Sequence, residues 1–260
     1  MNSSRRYFLK VAGLSAFALA GGAGAAMAAG SAPAPAGRGS YEASEKALKA
    51  GRWAMVIDTR KLNTVERMRK VIDACHKDHN VPAIPCRQEV KWLWDDTYHH
   101  AFSDEVHPVL PTRVEESRFF MLCNHCENPS CVRVCPVKAT YKTEQGLVAI
   151  DYHRCIGCRF CMAACPYGSR SFNFQDPRPF IKDLNPAYPT RMRGVVEKCT
   201  FCAERLEKGL LPVCVEASEG AILFGDLRDP DSVVSKALAE NYSIRRKPSL
   251  GTDPGVYYII

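Results

Sequence analysis

Short apolar runs and one stretch of helical periodicity divide the chain into predicted elements. The run Trp53–Asp58 (WAMVID) predicts a short buried strand. Residues 63–77 have helical spacing, and the side chains on one side of that predicted helix are Val65, Met68, Val71, Ile72 and Cys75. Residues 142–151 (KTEQGLVAID) predict a small hairpin with its turn at Gln145 and Gly146.

The C-terminal part of the pattern predicts two strands and a helix. Ala221–Phe224 forms an apolar run typical of a strand, and Asp231 or Ser232 is expected to cap a helix that ends near Asn241. The apolar end from Tyr257 onward is expected to pair with a sheet edge or a partner. Residues 81–118 contain several prolines and no clear period, so they are expected to form a long insert on the core.

The N-terminal segment has the layout of an export signal. The sequence SRRYFLK at residues 4–10 resembles the twin-arginine consensus, and an apolar run with small residues follows it. The AMA sequence at residues 26–28 offers a cleavage site, AGA at 23–25 offers another, and an uncleaved membrane anchor stays open as an alternative. We expect an exported protein whose mature form is soluble or peripheral to a membrane.

Cysteine usage changes the picture from an ordinary globular chain to a metal protein. The chain has 13 cysteines in 260 residues, most of them in repeated Cys-x-x-Cys steps between Cys123 and Cys214. Thiols this close in sequence do not suit a framework of long-range disulfides, whereas a compact metal centre needs them.

Two of the cysteine groups have the spacing of bacterial [4Fe–4S] ferredoxins. The first is Cys-x2-Cys-x4-Cys-x3-Cys-Pro, starting at Cys123, and the second is Cys-x2-Cys-x2-Cys-x3-Cys-Pro, starting at Cys155. In such runs the fourth cysteine binds the other cluster. A first cluster is therefore expected on Cys123, Cys126, Cys131 and Cys165. A second is expected on Cys155, Cys158, Cys161 and Cys135.

Two other metal chemistries fit the spacing less well. Zinc needs four thiolates in two pairs and does not explain a third cysteine followed by Cys-Pro, twice. A c-type haem requires Cys-x-x-Cys-His, which the sequence lacks. His125 and His153 are expected to be surface residues or neighbours of the ligands. Gly157 is expected to let the backbone approach a sulfur closely.

A third cysteine group carries a family resemblance. Residues 198–218 (KCTFCAERLEKGLLPVCVEAS) resemble the fourth motif of the iron–sulfur subunits of the dimethyl sulfoxide, polysulfide and tetrathionate reductase type. The resemblance covers roughly Trp53 to Ile260. Residues 166–180 (PYGSRSFNFQDPRPF) and 251–259 (GTDPGVYYI) resemble more narrowly the DsrO family, the periplasmic iron–sulfur subunits of DsrMKJOP membrane complexes.

The chain departs from the family pattern at two matching places. Ser218 stands where the family's fourth motif ends in cysteine, and the first motif keeps a single cysteine, Cys75. The family's crossover implies that one ligand set is lost whole while another is complete, namely Cys75, Cys199, Cys202 and Cys214. The resemblance thus implies a third cluster on these residues. Cys86 in place of Cys75 is the competing assignment; otherwise Cys86 is expected to be a buried small apolar residue.

The chain's basic charge does not indicate nucleic-acid binding. The formal charge of +7 falls to +4 when Arg5, Arg6 and Lys10 leave with the signal. Each [4Fe–4S]2+ core with four thiolates carries −2, so three clusters make the protein close to neutral.

The predicted fold is α+β, with tandem bacterial [4Fe–4S] ferredoxin-like domains related by a pseudo-two-fold and long inserts. Residues 1–28 form the signal and 29–50 a linker, followed by a degenerate first motif with its insert (51–118). A two-cluster ferredoxin-like domain (119–185), a second half with the third cluster (186–228) and a C-terminal helix and tail (229–260) complete the chain.

The function indicated is electron relay, without a catalytic site. The resemblance implies a hetero-oligomeric complex of dissimilatory sulfur metabolism, with a quinone-interacting integral membrane subunit and a multihaem cytochrome c. It also implies a peripheral position on the periplasmic face of the cytoplasmic membrane. One alternative is the iron–sulfur subunit of a molybdopterin reductase for tetrathionate or polysulfide. Another is a protein in which the clusters only stabilise the fold.

Overall fold

The computed structural model describes residues 44–105 and 108–260. The predicted twin-arginine signal, its cleavage site and most of the linker lie outside the described residues. Within these two ranges, none of the helices combines the length and the apolar character needed to cross a membrane.

The described residues form ten strands and eight α-helices of mixed order, which is an α+β arrangement. The strands are β1 (Trp53–Asp58), β2 (Leu93–Thr97), β3 (Arg118–Leu122), β4 (Thr140–Lys142), β5 (Val148–Ile150), β6 (Ser171–Phe172), β7 (Val196–Glu197), β8 (Ile222–Asp226), β9 (Ser243–Ile244) and β10 (Val256–Ile259). The helices are α1 (Val65–Asp78), α2 (Tyr98–Ala101), α3 (Thr112–Glu115), α4 (Ser130–Arg133), α5 (Phe160–Ala163), α6 (Ala203–Leu206), α7 (Val213–Ala217) and α8 (Val233–Glu240).

A four-stranded sheet in the order β8-β1-β10-β9 organises the core. Strand β1 pairs antiparallel with β8 and parallel with β10, so it lies inside the sheet and all its residues are buried. Its side chains alternate between two faces. Met55 and Ile57 join the main core, whereas Ala54 and Val56 pack with Val234 of α8.

Three two-stranded antiparallel sheets complete the strand pairing, namely β2–β3, β4–β5 and β6–β7. The hairpin at residues 142–151 is confirmed, with β4 and β5 joined by a turn in which the Gly146 N–H donates to the Thr143 carbonyl at 3.0 Å. The strand predicted at Trp53–Asp58 and that near Ala221 are confirmed. Ser232 caps α8, and β10 pairs within the sheet as expected.

Helix α1 confirms the predicted amphipathic helix, with a narrower buried side. Thr64 caps it, its hydroxyl accepting from the Arg67 N–H at 3.3 Å. Met68, Val71 and Cys75 are buried along one face. Val65, which was expected on this face, is 43% exposed because it lies in the first turn, beyond the edge of the core.

The segment expected to be an insert supplies much of the main core. Strands β2 and β3 pair from Leu93–Leu122 to Thr97–Arg118. Trp92, Leu93 and Phe102 are almost completely buried. The irregular sequence pattern of this segment reflects burial on several sides rather than an absence of packing.

Candidate metal centres

The four cysteines expected to bind the first cluster lie together in the structure. Cys123, Cys126, Cys131 and Cys165, here called the first site, line one cavity with about 320 Å³ of empty space. Cys123 follows β3, and Cys131 lies on α4. Cys165 follows α5 and so reaches this cavity from the neighbouring motif.

The second group also comes together as predicted. Cys155, Cys158, Cys161 and Cys135, the second site, line another cavity. Cys161 is buried, while the other three are partly exposed. The short helices α4 and α5 directly precede Cys135 and Cys165, and the Ser130 hydroxyl holds them together by donating to the Ala164 carbonyl at 2.7 Å.

The third group is the most enclosed. Cys75, Cys199, Cys202 and Cys214, the third site, line a cavity of about 220 Å³, and all four are buried. Helix α1 contributes Cys75 from its last turn, and α7 contributes Cys214; these two helices pack against each other. Trp92 and Leu93 form part of the wall, so the segment expected to be an insert helps to build this site.

The structure places Cys75, and not Cys86, with the other cysteines of the third site. Cys86 is exposed, so the expectation that it is a buried apolar residue is wrong. It lies in an irregular loop where its sulfur accepts from the Gln88 N–H at 3.3 Å. Ser218, at the position of the missing family cysteine, uses its hydroxyl locally: it donates to the Val215 carbonyl and accepts from the Ile222 N–H.

The Cys-x-x-Cys loops that open the three cysteine groups, at Cys123, Cys155 and Cys199, share one backbone feature. The residue before the second cysteine has a positive φ in each loop: 40° at His125, 70° at Gly157 and 57° at Phe201. Such left-handed residues turn the chain sharply and let successive N–H groups point inward. At Gly157 an added Cβ would collide with the Gly194 carbonyl oxygen. The absence of a side chain therefore lets the loop pack against a neighbouring backbone segment as well as line the cavity.

A stacked pair connects the first and third sites. The His125 ring lies 3.8 Å, centroid to centroid, from the Phe201 ring at an interplanar angle of 15°. His125 Nδ1 accepts from the Val148 N–H at 3.0 Å, so Nε2 carries the hydrogen and donates to the Cys199 carbonyl at 3.2 Å. Burial and the nearby Lys198 ammonium hold the pKa of His125 well below its usual value. This histidine is therefore a neutral, buried neighbour of the ligands, whereas His153 lies on the surface.

Two buried cations lie at the junctions between sites. Lys198 is 1% exposed and its ammonium donates to the Cys199 carbonyl at 2.7 Å and to the Val148 carbonyl. Arg170 is 5% exposed, and its Nη2 lies 3.0 Å from Cys131 Sγ. Charge on Arg170 also acts on Cys161 of the second site. The first site thus lies between the second and the third.

Burial strongly disfavours bare thiolates at these sites. Desolvation, and then the charges of the neighbouring cysteines, raises the pKa of Cys75 well above its usual value. Desolvation likewise raises the pKa of Cys126 and of Cys214 to about 12. Four thiolates can share such a cavity only when a metal centre compensates their charge.

Cys135 differs from these thiols. Desolvation raises its pKa, but backbone N–H groups at Thr140, Val137 and Ala139 more than offset this, so the net pKa is lowered. The Thr140 N–H lies 3.5 Å from Cys135 Sγ. These donors prepare the position for an anionic sulfur.

The cavities also contain polar groups that suit an inorganic sulfide cluster. The Asn124 side chain is 1% exposed and neither its nitrogen nor its oxygen has a partner among the described residues. The same holds for the Thr200 hydroxyl within that part of the chain. Asn124 lines the first cavity and Thr200 the third. Donors of this kind can bond to cluster sulfurs, so the residues present fit [4Fe–4S] centres.

One further group of potential ligands overlaps the third site. The ligand atoms of His79, Cys202 and Glu204 lie within 4.8 Å of one another. His79 Nε2 is 2.9 Å from Glu204 Oε1, and His79 Nδ1 is 2.8 Å from the Cys75 carbonyl. His79 and Glu204 therefore have partners of their own beside the third site, which leaves Cys202 to the four-cysteine set.

Sequence reasoning missed the polar residues around the cysteines. Arg170 follows a Cys-Pro step by a few residues and Lys198 precedes Cys199 directly, so basic residues adjoining a motif were the available signal. No such signal pointed to Thr252, since it is far in sequence from the cysteine groups. Its hydroxyl bonds to Tyr167 and to Cys126, because the segment before β10 runs along the first site.

Comparison with known proteins agrees with this geometry. The model of a 4Fe–4S dicluster domain matches residues 116–177, which contain the first two cysteine groups. The fold and the sites thus define an iron–sulfur protein of the [4Fe–4S] class.

Relatives extend the similarity over most of the chain. An Hdr-like menaquinol oxidoreductase iron–sulfur subunit 1 of Archaeoglobus fulgidus is 41% identical over 239 residues, 84% of this chain and 86% of the relative. A menaquinone reductase iron–sulfur cluster-binding subunit of Nitratidesulfovibrio vulgaris is 36% identical, over 80% of this chain and 88% of the relative. A subunit of the tetrathionate reductase of Salmonella typhimurium is 43% identical, over 53% of this chain and 50% of the relative.

The chain belongs to the family of iron–sulfur subunits of such menaquinol oxidoreductases and of the dimethyl sulfoxide and tetrathionate reductases.

Proposed function

We propose that the chain is an electron-relay subunit that holds three [4Fe–4S] clusters. The observation that carries this proposal is the sorting of twelve cysteines into three sets of four, each around its own cavity. Such clusters, when bound, accept and release single electrons without rearranging bonds. The chain supplies the thiolates, excludes water from the third site and surrounds the sulfurs with hydrogen-bond donors.

The row of sites supports relay rather than a structural role. The first site adjoins the second through Arg170 and the third through His125, Phe201 and Lys198. One cluster would be enough to stabilise a small domain, whereas a continuous row provides a route between two surfaces. Two ferredoxin-like halves related by a pseudo-two-fold are part of the proposal; the shared left-handed residue of the three loops supports it.

The partners proposed are a quinone-interacting integral membrane subunit and a multihaem cytochrome c, in a complex of dissimilatory sulfur metabolism of the DsrMKJOP type. The two relatives matched over most of their length have menaquinol or menaquinone in their names, which supports a quinone-linked complex. Export by the twin-arginine route to the periplasmic face of the membrane belongs to the same proposal and rests on residues 4–10.

The second candidate is the iron–sulfur subunit of a molybdopterin reductase. Similarity to dimethyl sulfoxide and tetrathionate reductase subunits favours it, although it extends over 53% of this chain. Purification of the complex from membranes separates the two. A co-purifying multihaem cytochrome supports the first, and a molybdopterin subunit supports the second.

Iron and redox measurements test the relay itself. Anaerobically purified protein should contain about twelve iron and twelve sulfide per chain, four of each per cluster. All three centres should be reduced and reoxidised reversibly in an EPR-monitored titration. About sixteen iron would mean that a fourth site exists, and centres that do not cycle would rule out the relay.

A further inference from the structure

Arg170 is a buried arginine with no carboxylate among its hydrogen-bond partners in the described part of the chain. Its Nη2 donates to Cys131 Sγ at 3.0 Å and its Nη1 to the Thr140 hydroxyl at 3.3 Å. Another deeply buried arginine, Arg191, has a carboxylate, since its Nη2 is 2.7 Å from Glu197 Oε2. A buried guanidinium without a counter-ion is costly, and the cysteine sulfur that Arg170 contacts can supply the compensating negative charge.

The charges that face Arg170 belong to two sites. Arg170 lines the first cavity, where its Nη2 contacts Cys131 Sγ. A further hydrogen bond joins it to Cys161 of the second site. Its Nη1 partner, Thr140, lines the second cavity, and the Thr140 N–H lies 3.5 Å from Cys135 Sγ. One guanidinium therefore lies beside the ligands of both.

We propose that Arg170 is a shared counter-charge that raises the reduction potentials of the first and second sites together. This inference rests on the proposed function, because it requires clusters at both sites. Arg170 contacts ligand sulfur and acts through the clusters. Its charge sets how strongly the clusters of the first and second sites hold an added electron.

The direction follows from elementary electrostatics. Reduction adds a negative charge, and a positive charge nearby stabilises the reduced state more than the oxidised state. A 5% exposed side chain is little screened by water or salt. Hydrogen bonds to ligand sulfurs shift cluster potentials in the same direction.

The third site supplies an internal control. Arg170 lines the first cavity, whereas other residues line the third, and the buried cation bonded beside Cys199 there is Lys198. Loss of the Arg170 charge should therefore leave the potential of the third site almost unchanged.

The experiment is an EPR-monitored redox titration of the full, cluster-loaded protein and its Arg170→Gln variant. Cys75→Ser identifies the signal of the third site and Cys158→Ser that of the second. In Arg170→Gln the ratio of reduced to oxidised cluster at a fixed potential should fall at least about tenfold at the first and second sites. This corresponds to a decrease in reduction potential of about 59 mV for a one-electron couple. Arg170→Lys keeps the charge without the forked donors and should shift both less.

The matched control is Arg133→Gln, which removes an equal charge from α4 at an exposed position. Water screens this side chain, so it should shift both potentials much less than Arg170→Gln. A shift confined to one site, an equal shift at all three, or an equal effect of Arg133→Gln would overturn the inference.

Loss of iron from Arg170→Gln would not end the test. Arg170→Lys then decides: it should lower the two potentials, and unchanged potentials in this loaded variant would contradict the proposal. Iron content and EPR signals of the unaltered protein report on the proposed function separately. Their absence would refute the function, whereas normal signals with no shift would refute only the role of Arg170.

Discussion

The second and third sites hold the same ligands in very different surroundings. In the second site, three of the four cysteines are partly exposed and all come from residues 135–161. In the third site every cysteine is buried, and Cys75 comes from a helix far along the chain from Cys199. The second site is thus encoded mainly by local motifs, whereas the third forms only when the core is assembled.

The difference shows what each part of the chain contributes. At the second site, short loops and backbone N–H groups at Cys135 prepare the sulfurs. At the third site, α1, α7 and the wall formed by Trp92 close the cavity. Assembly of the third site and folding of the core should therefore depend on each other.

Cys75→Ser should give the largest effect, because Cys75 is the one ligand of the third site supplied by α1. We expect this cluster to be lost or converted to a three-iron form, so the iron content falls from about twelve to about eight or eleven per chain. The signals of the first and second sites should persist. Iron analysis with EPR measures both.

The control for this prediction is Cys86→Ser. Cys86 is exposed and lies away from the cavities, so iron content and spectra should be unchanged. If Cys86→Ser removed the third cluster while Cys75→Ser spared it, the ligand assignment would be reversed.

Glu197→Gln should give the next largest effect, through the wall of the third site. The Glu197 carboxylate pairs with Arg191 at 2.7 Å and accepts from Trp92 Nε1 at 2.8 Å, and both ion-pair side chains are at most 1% exposed. Loss of the carboxylate leaves a buried guanidinium uncompensated, which costs about 3–5 kcal/mol. We expect the third cluster to be lost faster than the second on mild heating. The decay of the EPR signal of each cluster measures the two rates.

An exposed pair provides the comparison for Glu197→Gln. Lys77 and Asp183 lie 4.0 Å apart with side chains about three quarters exposed. Asp183→Asn removes the same charge from a solvated pair and should leave the rate of cluster loss nearly unaltered. Equal rates for the two variants would show that the buried pair does not support the third site.

The second site and much of the sheet could be predicted from the sequence because their signals are local. Cysteine spacing fixes which thiols share a loop. An apolar run predicts β1, turn residues predict the hairpin at Gly146, and a capping residue predicts helix α8. The family resemblance then led to Cys75, which the structure places beside Cys199, Cys202 and Cys214.

The surroundings of the sites could not be predicted, because they depend on contacts between distant residues. Nothing in the spacing shows that Trp92 forms a wall of the third site, or that Thr252 reaches Cys126. Arg170 and Lys198 are ordinary basic residues in the sequence. Only packing reveals that they are buried between sites.

Of the variants Cys75→Ser, Glu197→Gln and Gly157→Ala, the last should have the smallest effect. That effect should be confined to the second site. Gly157 has φ of 70°, and an added Cβ meets the Gly194 carbonyl oxygen. A non-glycine residue held in this region costs about 1–3 kcal/mol, and the contact adds to it. We expect the loop between Cys155 and Cys158 to shift, so that the second cluster is lost faster on exposure to air while the third is retained.

His125 occupies the same loop position with positive φ at the first site, so His125→Gly is the matched control and should leave the second site unchanged. Equal loss from the second and third sites of Gly157→Ala would show that the second site is as dependent on the whole core as the third.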